Sequence, residues 1–156
     1  MSARLRDLLS AFKRGDLSEE RLLQHIAREP FEEHMIGRFD TQREVRTGVP
    51  EAIFAEGKDP AAVAEIVRTY LERDEQLIAT RVTAPILAAL APMLPELYHV
   101  SLGRVVATKP PAPDPAREHV LVVSAGTLDA PVASECAECC ALLGNPVERL
   151  SDVGVA

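Results

Sequence analysis

Four apolar residues, Val120, Leu121, Val122 and Val123, are followed at once by Ser124, Ala125, Gly126, Thr127 and Asp129, and then by a helical pattern with Pro131 in its first turn. The apolar run is too short and too β-branched for a helix, and its lack of alternation fits a strand of a parallel sheet buried on both faces. A small-residue turn leading straight into a helix is how open α/β sheets build ligand sites at the carboxyl ends of their strands. Proline is preorganised for the first helical position, and the amides at a helix start lack intrahelical acceptors, so they suit an anion such as phosphate. Ser124, Gly126, Thr127 and Asp129 are therefore candidate ligand-binding residues. The stretch predicts an α/β fold.

Upstream, Leu5, Leu8, Leu9 and Phe12 make one helical face closed by Lys13, Arg14 and Gly15. Ser18 caps a second helix, with Glu19 and Glu20 at its positive end and Leu22, Leu23 and Ile26 on its apolar side, and Pro30 stops it. Residues 1–30 read as a helical hairpin too small to fold alone.

Residues 31–108 read as a small three-stranded α/β domain. Ala52–Ala55 is a short buried strand, Glu56-Gly57-Lys58 its exit turn, and Asp59-Pro60 the cap and first position of a helix carrying Val63, Ile66, Val67, Tyr70 and Leu71. Strands over 76–82 and 103–108 follow, with a helix over 85–90 between them. Lys58 and Arg81 then fall at the carboxyl ends of neighbouring strands, where a charge serves binding or, alternatively, a surface salt bridge with Glu56. Asp40, Arg43 and Arg46 are spaced three apart, either as a solvated helical face with an ion pair or as an arginine pair aimed at phosphate or carboxylate.

Residues 109–116 hold four of the chain's twelve prolines and read as a stiff linker and domain boundary. Residues 117–156 then contain one βαβ unit, with a helix over 131–143 and a strand from Val147. That is too little for a doubly wound domain, which predicts either cover from the upstream sheet or an incomplete domain; the linker favours the second.

Cys136, Cys139 and Cys140 fall with Val132 and Leu143 on one stripe of that helix and read as small buried hydrophobes. One C-x-x-C lacks a second pair for zinc, with His99 and His119 as the conceivable completions, so no metal ligand is assigned. His25 and His34 read as solvent-facing. No base is aimed at any of the three thiols, so no catalytic residue is assigned either. A net charge of −7 speaks against nucleic acid or an anionic membrane as partner. No apolar run spans a bilayer, and the charged N-terminus has no signal-peptide core, so a soluble cytoplasmic protein is expected.

Taken together, Asp40-x-x-Arg43-x-x-Arg46-x-Gly48-x-Pro50-Glu51-x-Ile53-Phe54-x-Glu56-Gly57-Lys58, then Ala79-Thr80-Arg81, then Val122 to Thr127 with Asp129, Pro131, Val132 and Ala133, and finally Asp152 to Ala156, resemble LarB-type proteins in order and spacing. These are nickel-pincer cofactor biosynthesis proteins with a C-terminal domain similar to PurE, the aminoimidazole ribonucleotide (AIR) carboxylase, whose fold is flavodoxin-like.

The resemblance implies a carboxylase that converts nicotinic acid adenine dinucleotide and CO2 to pyridinium-3,5-biscarboxylic acid mononucleotide and AMP. It uses a cysteine that adds to the ring. CO2 or bicarbonate enters as substrate, Mg2+ is the one candidate accompanying ion, and members assemble as homo-oligomers. It makes Ser124, Gly126, Thr127 and Asp129 the nucleotide-phosphate loop, with Arg43, Arg46, Lys58 and Arg81 as further substrate-binding residues.

Leu128 stands where the family usually has serine, and Asp59 where it has threonine. The chain stops before the family's glycine-rich segment and catalytic cysteine. None of Cys136, Cys139 and Cys140 matches that cysteine, so a truncated and inactive PurE-like domain is expected. The alternatives are AIR carboxylase, against which the Asp40–Lys58 block speaks, and a non-catalytic nucleotide-binding or oligomerisation module.

Overall fold

The computed structural model describes residues 3–27, 32–34, 37–39, 43 and 47–154. The chain divides into two compact units, residues 1–49 and 50–156.

In the first unit, helices α1 (Ala3–Arg14) and α2 (Glu19–Ala27) pack as the expected hairpin. Gly15 supplies the left-handed turn at φ 82° that ends α1, a conformation without penalty only for glycine. The Ser18 hydroxyl accepts from the Arg21 amide at 3.3 Å and caps α2. Leu22 is buried, whereas Leu23 is half exposed. Strands β1 (Glu32–His34) and β2 (Gly37–Phe39) form an antiparallel ribbon that the hydropathy pattern does not announce.

The second unit is mixed α/β. Strand β3 (Glu51–Phe54) runs parallel to β4 (Leu77–Thr80), and helix α3 (Pro60–Glu72) connects them. The Asp59 carboxylate accepts from the Ala62 amide at 2.9 Å, so the Asp-Pro pair starts α3 as its chemistry dictates. Val63, Ile66, Val67 and Tyr70 of α3 are buried, at the helical spacing read from the sequence. Helix α4 (Ala84–Leu90) buries Ile86 and Leu90 and packs against α3. Strand β6 (Val105–Ala107) then joins β4 antiparallel, and a fourth strand, β5 (Tyr98–Val100), adds to β6, giving the order β3-β4-β6-β5. The sequence predicts three strands here; β5 is the addition. Leu77, Ile78 and Ala79 of β4 are all buried, as a central strand covered on both faces must be.

Strands β7 (Val120–Val123) and β8 (Val147–Leu150) form a separate parallel pair joined through helix α5 (Ala130–Leu142), the expected βαβ unit. The proline-rich stretch does not divide the chain into separate bodies, because α5 packs against β7 and β8 and also against β4 and β6. Leu142 joins Ile78, Val105 and Ala107 in one core cluster, with Tyr98, Cys139 and Leu143 at its margin. The upstream sheet therefore does supply cover for this helix. The face of β7 and β8 turned away from α5 carries Leu121, Val123 and Leu150, each about half exposed.

The inward face of α5 is not the cysteine stripe expected from hydropathy. Ser134, Ala137, Glu138 and Leu142 are buried, while Val132 and Cys136 are exposed. Glu138 makes this possible: its carboxylate accepts from the Tyr98 hydroxyl and pairs with the Arg149 guanidinium, so a charged residue can occupy the interior. No helix of the described residues is long and apolar enough to cross a membrane.

Candidate functional site

An open cavity of about 380 Å³ lies at the carboxyl end of β7, lined by Val122, Val123, Ser124, Ala125, Asp129, Val132, Ala133 and Cys136. The strand ends at Val123 because the next residues form a turn, and a short 3-10 segment (Thr127–Asp129) then feeds α5. Ser124 is buried at its base; its amide bonds the Leu150 carbonyl at 2.9 Å, and its hydroxyl lies 3.4 Å from that of Ser151. Two hydroxyls thus stand together at the ends of two adjacent parallel strands. Ser151 is a residue the sequence reading passed over, and only its place directly after β8 could have marked it.

The turn is held by its own acid. Asp129 Oδ2 accepts from the Gly126 amide at 3.2 Å, and the Asp129 amide donates to the Gly126 carbonyl at 3.0 Å. The Ala130 amide bonds the Thr127 carbonyl, and Pro131 has no amide hydrogen. The donors expected to be free for an anion are thus partly committed within the turn, and a ligand must exchange with the Asp129 carboxylate to reach Gly126. Leu128 projects almost wholly into solvent.

On another side of α5 lies the edge where β3 and β4 end. Arg81, directly after β4, directs its guanidinium to Glu135 of α5, with Nε 2.7 Å from Oε2 and 3.0 Å from Oε1. Glu135 sits between residues that line the cavity, Ala133 and Cys136, so helix α5 connects the two regions the sequence had marked separately. Glu56 pairs with Arg104 at 3.6 Å rather than with Arg81 or Lys58. Lys58 is exposed on the turn after β3. Arg43 is exposed in the first unit, and Arg46 and Asp40 lie outside the described residues.

The thiols differ in environment. Burial pushes Cys139 up to about 11, reinforced by the nearby Glu135 carboxylate. Burial also raises Cys140, which interacts with the Cys136 thiol. Among the described residues no group of three or more His, Cys, Asp or Glu side chains could hold a metal ion; His119 instead faces Glu148 at 3.6 Å.

An uncharacterized protein of Methanocaldococcus jannaschii is 28% identical to this chain over 165 aligned residues, which take in the whole of the chain and 64% of that protein. The chain therefore spans under two thirds of the length of this relative. Residues 31–110, which include strands β3 to β6, match the LarB/PurE-like N-terminal domain. That match covers half of the chain and carries a relationship to the carboxylases: this protein belongs to the LarB/PurE-like family.

Proposed function

We propose that this chain binds nicotinic acid adenine dinucleotide as a LarB-type protein. The reaction proposed for the whole family protein is addition of CO2 to the pyridinium ring and cleavage of the phosphoanhydride by water, giving pyridinium-3,5-biscarboxylic acid mononucleotide and AMP on the route to a nickel-pincer cofactor; the residues here are proposed to bind the substrate, and none of them is assigned as its catalytic thiol. The observation that carries this reading is the Ser124–Asp129 turn, which borders an open cavity at the carboxyl end of a parallel strand in a chain with a LarB/PurE-like N-terminal domain. The hydroxyls of Ser124 and Thr127 and the Gly126 amide are donors of the kind a nucleotide phosphate requires, and the Asp129 carboxylate suits a ribose hydroxyl. Lys58 and Arg81 are proposed as further contacts to the anionic parts of the substrate. The family match over residues 31–110 supports this reading over AIR carboxylase, because simple PurE proteins lack such a domain.

Calorimetric titration of the purified chain with nicotinic acid adenine dinucleotide tests the binding, and bicarbonate-dependent carboxylation tests the chemistry. Binding lost in Ser124→Ala with Thr127→Val supports the proposal; no binding by the unaltered chain overturns it. Binding without turnover assigns this chain the role of a nucleotide-binding module.

A further inference from the structure

Helix α5 carries three thiols that the functional reading leaves unused, Cys136, Cys139 and Cys140. They do not share one environment. Cys139 packs at the margin of the core cluster, as do Tyr98 and Leu143. Cys136 lies on the side of α5 away from buried Ser134, Ala137, Glu138 and Leu142, where it is exposed and lines the cavity. Cys140 is partly exposed one turn further on. Residues four apart on a helix project one above the other, and the Cys136 and Cys140 thiols are joined by a hydrogen bond.

The surroundings hold this pair in place and leave it without a competing donor. The Asn145 amide and its side-chain Nδ2 both donate to the Cys140 carbonyl at 3.1 Å, which pins the last turn of α5. Glu135, beside Cys136 in the chain, is engaged by Arg81. Asp129 accepts from the Gly126 amide, and Val132 and Ala133 on the cavity wall are apolar. Among the described residues no third His, Cys, Asp or Glu completes a metal-binding group, so the four ligands that structural zinc takes are not assembled.

Two chemistries suit neighbouring thiols, and the helix separates them. A disulfide needs Cβ atoms about 3.5–4.5 Å apart, whereas residues four apart on a helix hold theirs at about 5–6 Å. Oxidation would therefore distort α5. A bridging ion asks less, because two metal–sulfur bonds of about 2.3 Å span up to about 4.6 Å between sulfurs. Thiolates are soft donors that select Cu(I), a closed-shell ion satisfied by two ligands in line.

We propose that Cys136 and Cys140 form a two-coordinate site for Cu(I) at the rim of the cavity. Each thiol gives up its proton to solvent as its sulfur donates an electron pair to the ion, so two protons leave for each ion bound and no oxidant or reductant is consumed. The site uses none of the residues proposed to bind the dinucleotide and stands apart from that reading.

The test is anaerobic titration of the full, reduced chain with Cu(I) presented as its bicinchoninate complex, whose colour is lost as the protein takes the ion. The unaltered chain removes one equivalent. Cys136→Ser, at an exposed position that leaves the core intact, abolishes that uptake, as does Cys140→Ser, whereas Cys139→Ser retains it. Absence of uptake by the unaltered chain, or full uptake by Cys136→Ser, overturns the proposal. Loss in Cys139→Ser as complete as in Cys136→Ser, with far-ultraviolet circular dichroism unchanged in both, overturns the two-coordinate assignment in favour of three thiols. Zn(II) bound with the same stoichiometry and the same dependence on Cys136 and Cys140 overturns the selection of a soft monovalent ion.

Discussion

The Arg81 guanidinium, at the end of β4, and the Glu135 carboxylate, on α5, meet at 2.7 Å and join the sheet of the family domain to the helix that follows the Ser124–Asp129 turn. The pair is only partly exposed, so screening by solvent is incomplete, and removing one partner leaves the other poorly compensated. Glu135→Ala is expected to lower stability by about 1–2 kcal/mol, a fall in Tm of several degrees. A double-mutant cycle with Arg81→Ala in thermal denaturation measures the coupling. A coupling of zero means that the pair does not hold α5 to β4.

Stability at high pH follows from Tyr98. Burial, followed by its hydrogen bond to the Glu138 carboxylate, pushes this phenol from 10.0 up to about 12. A folded-state value above the unfolded one stabilises fully below the unfolded value and is lost as pH rises through the folded one. Cys139 acts in the same direction, from 9.0 up to about 11. Tm is therefore expected to hold up to pH 9 and fall through the interval to pH 12. Tyr98→Phe lowers Tm at neutral pH, because it removes the hydroxyl donor to buried Glu138, and flattens the decline above pH 10. A decline equally steep in Tyr98→Phe assigns the transition to other groups.

Gly103 shows how closely the 101–104 loop approaches α5. A Cβ placed there would come within 2.9 Å of the Glu135 nitrogen and 3.0 Å of the Ser134 carbonyl carbon, both backbone atoms that no rotamer change can move. Gly103→Ala is expected to destabilise by about 1–3 kcal/mol, the range for overpacking. Urea denaturation measures it. An unchanged midpoint shows that α5 shifts freely on the sheet.

Elements announced by local chemistry were legible in the sequence. Asp59-Pro60 starts a helix through a side-chain cap and a fixed φ, and Val120–Val123 makes a strand through β-branching and brevity; neither needs a tertiary partner to be recognised. Order and spacing of short motifs likewise pointed to the family. Strand β5 escaped because Tyr98–Val100 is three residues long, too short for its alternation to stand out, and none of the three is fully buried. The face of α5 was misjudged because Glu138 is polar by composition but neutralised by Tyr98 and Arg149, which lie 40 residues before it and 11 after. Ser151 was invisible as a candidate because its approach to the Ser124 hydroxyl, at 3.4 Å, exists only in the folded chain.

The same misjudged helix face makes a prediction about the cysteines. Cys136 is exposed and borders the cavity, whereas Cys139 and Cys140 are partly buried. Thiolate is the reactive form, and a thiol at about 11 is ionised to roughly one part in a thousand at pH 8. Cys136 is therefore expected to react with iodoacetamide well before Cys139, with Cys140 also held back by its raised value. Peptide mapping by mass spectrometry after a timed pulse resolves the three. If the cavity takes the nucleotide, saturating dinucleotide slows labelling of Cys136 and leaves Cys139 unchanged. Equal protection of all three thiols would indicate tightening of the whole helix rather than occupancy of the cavity, and Cys139 reacting first would refute the assigned orientation of α5.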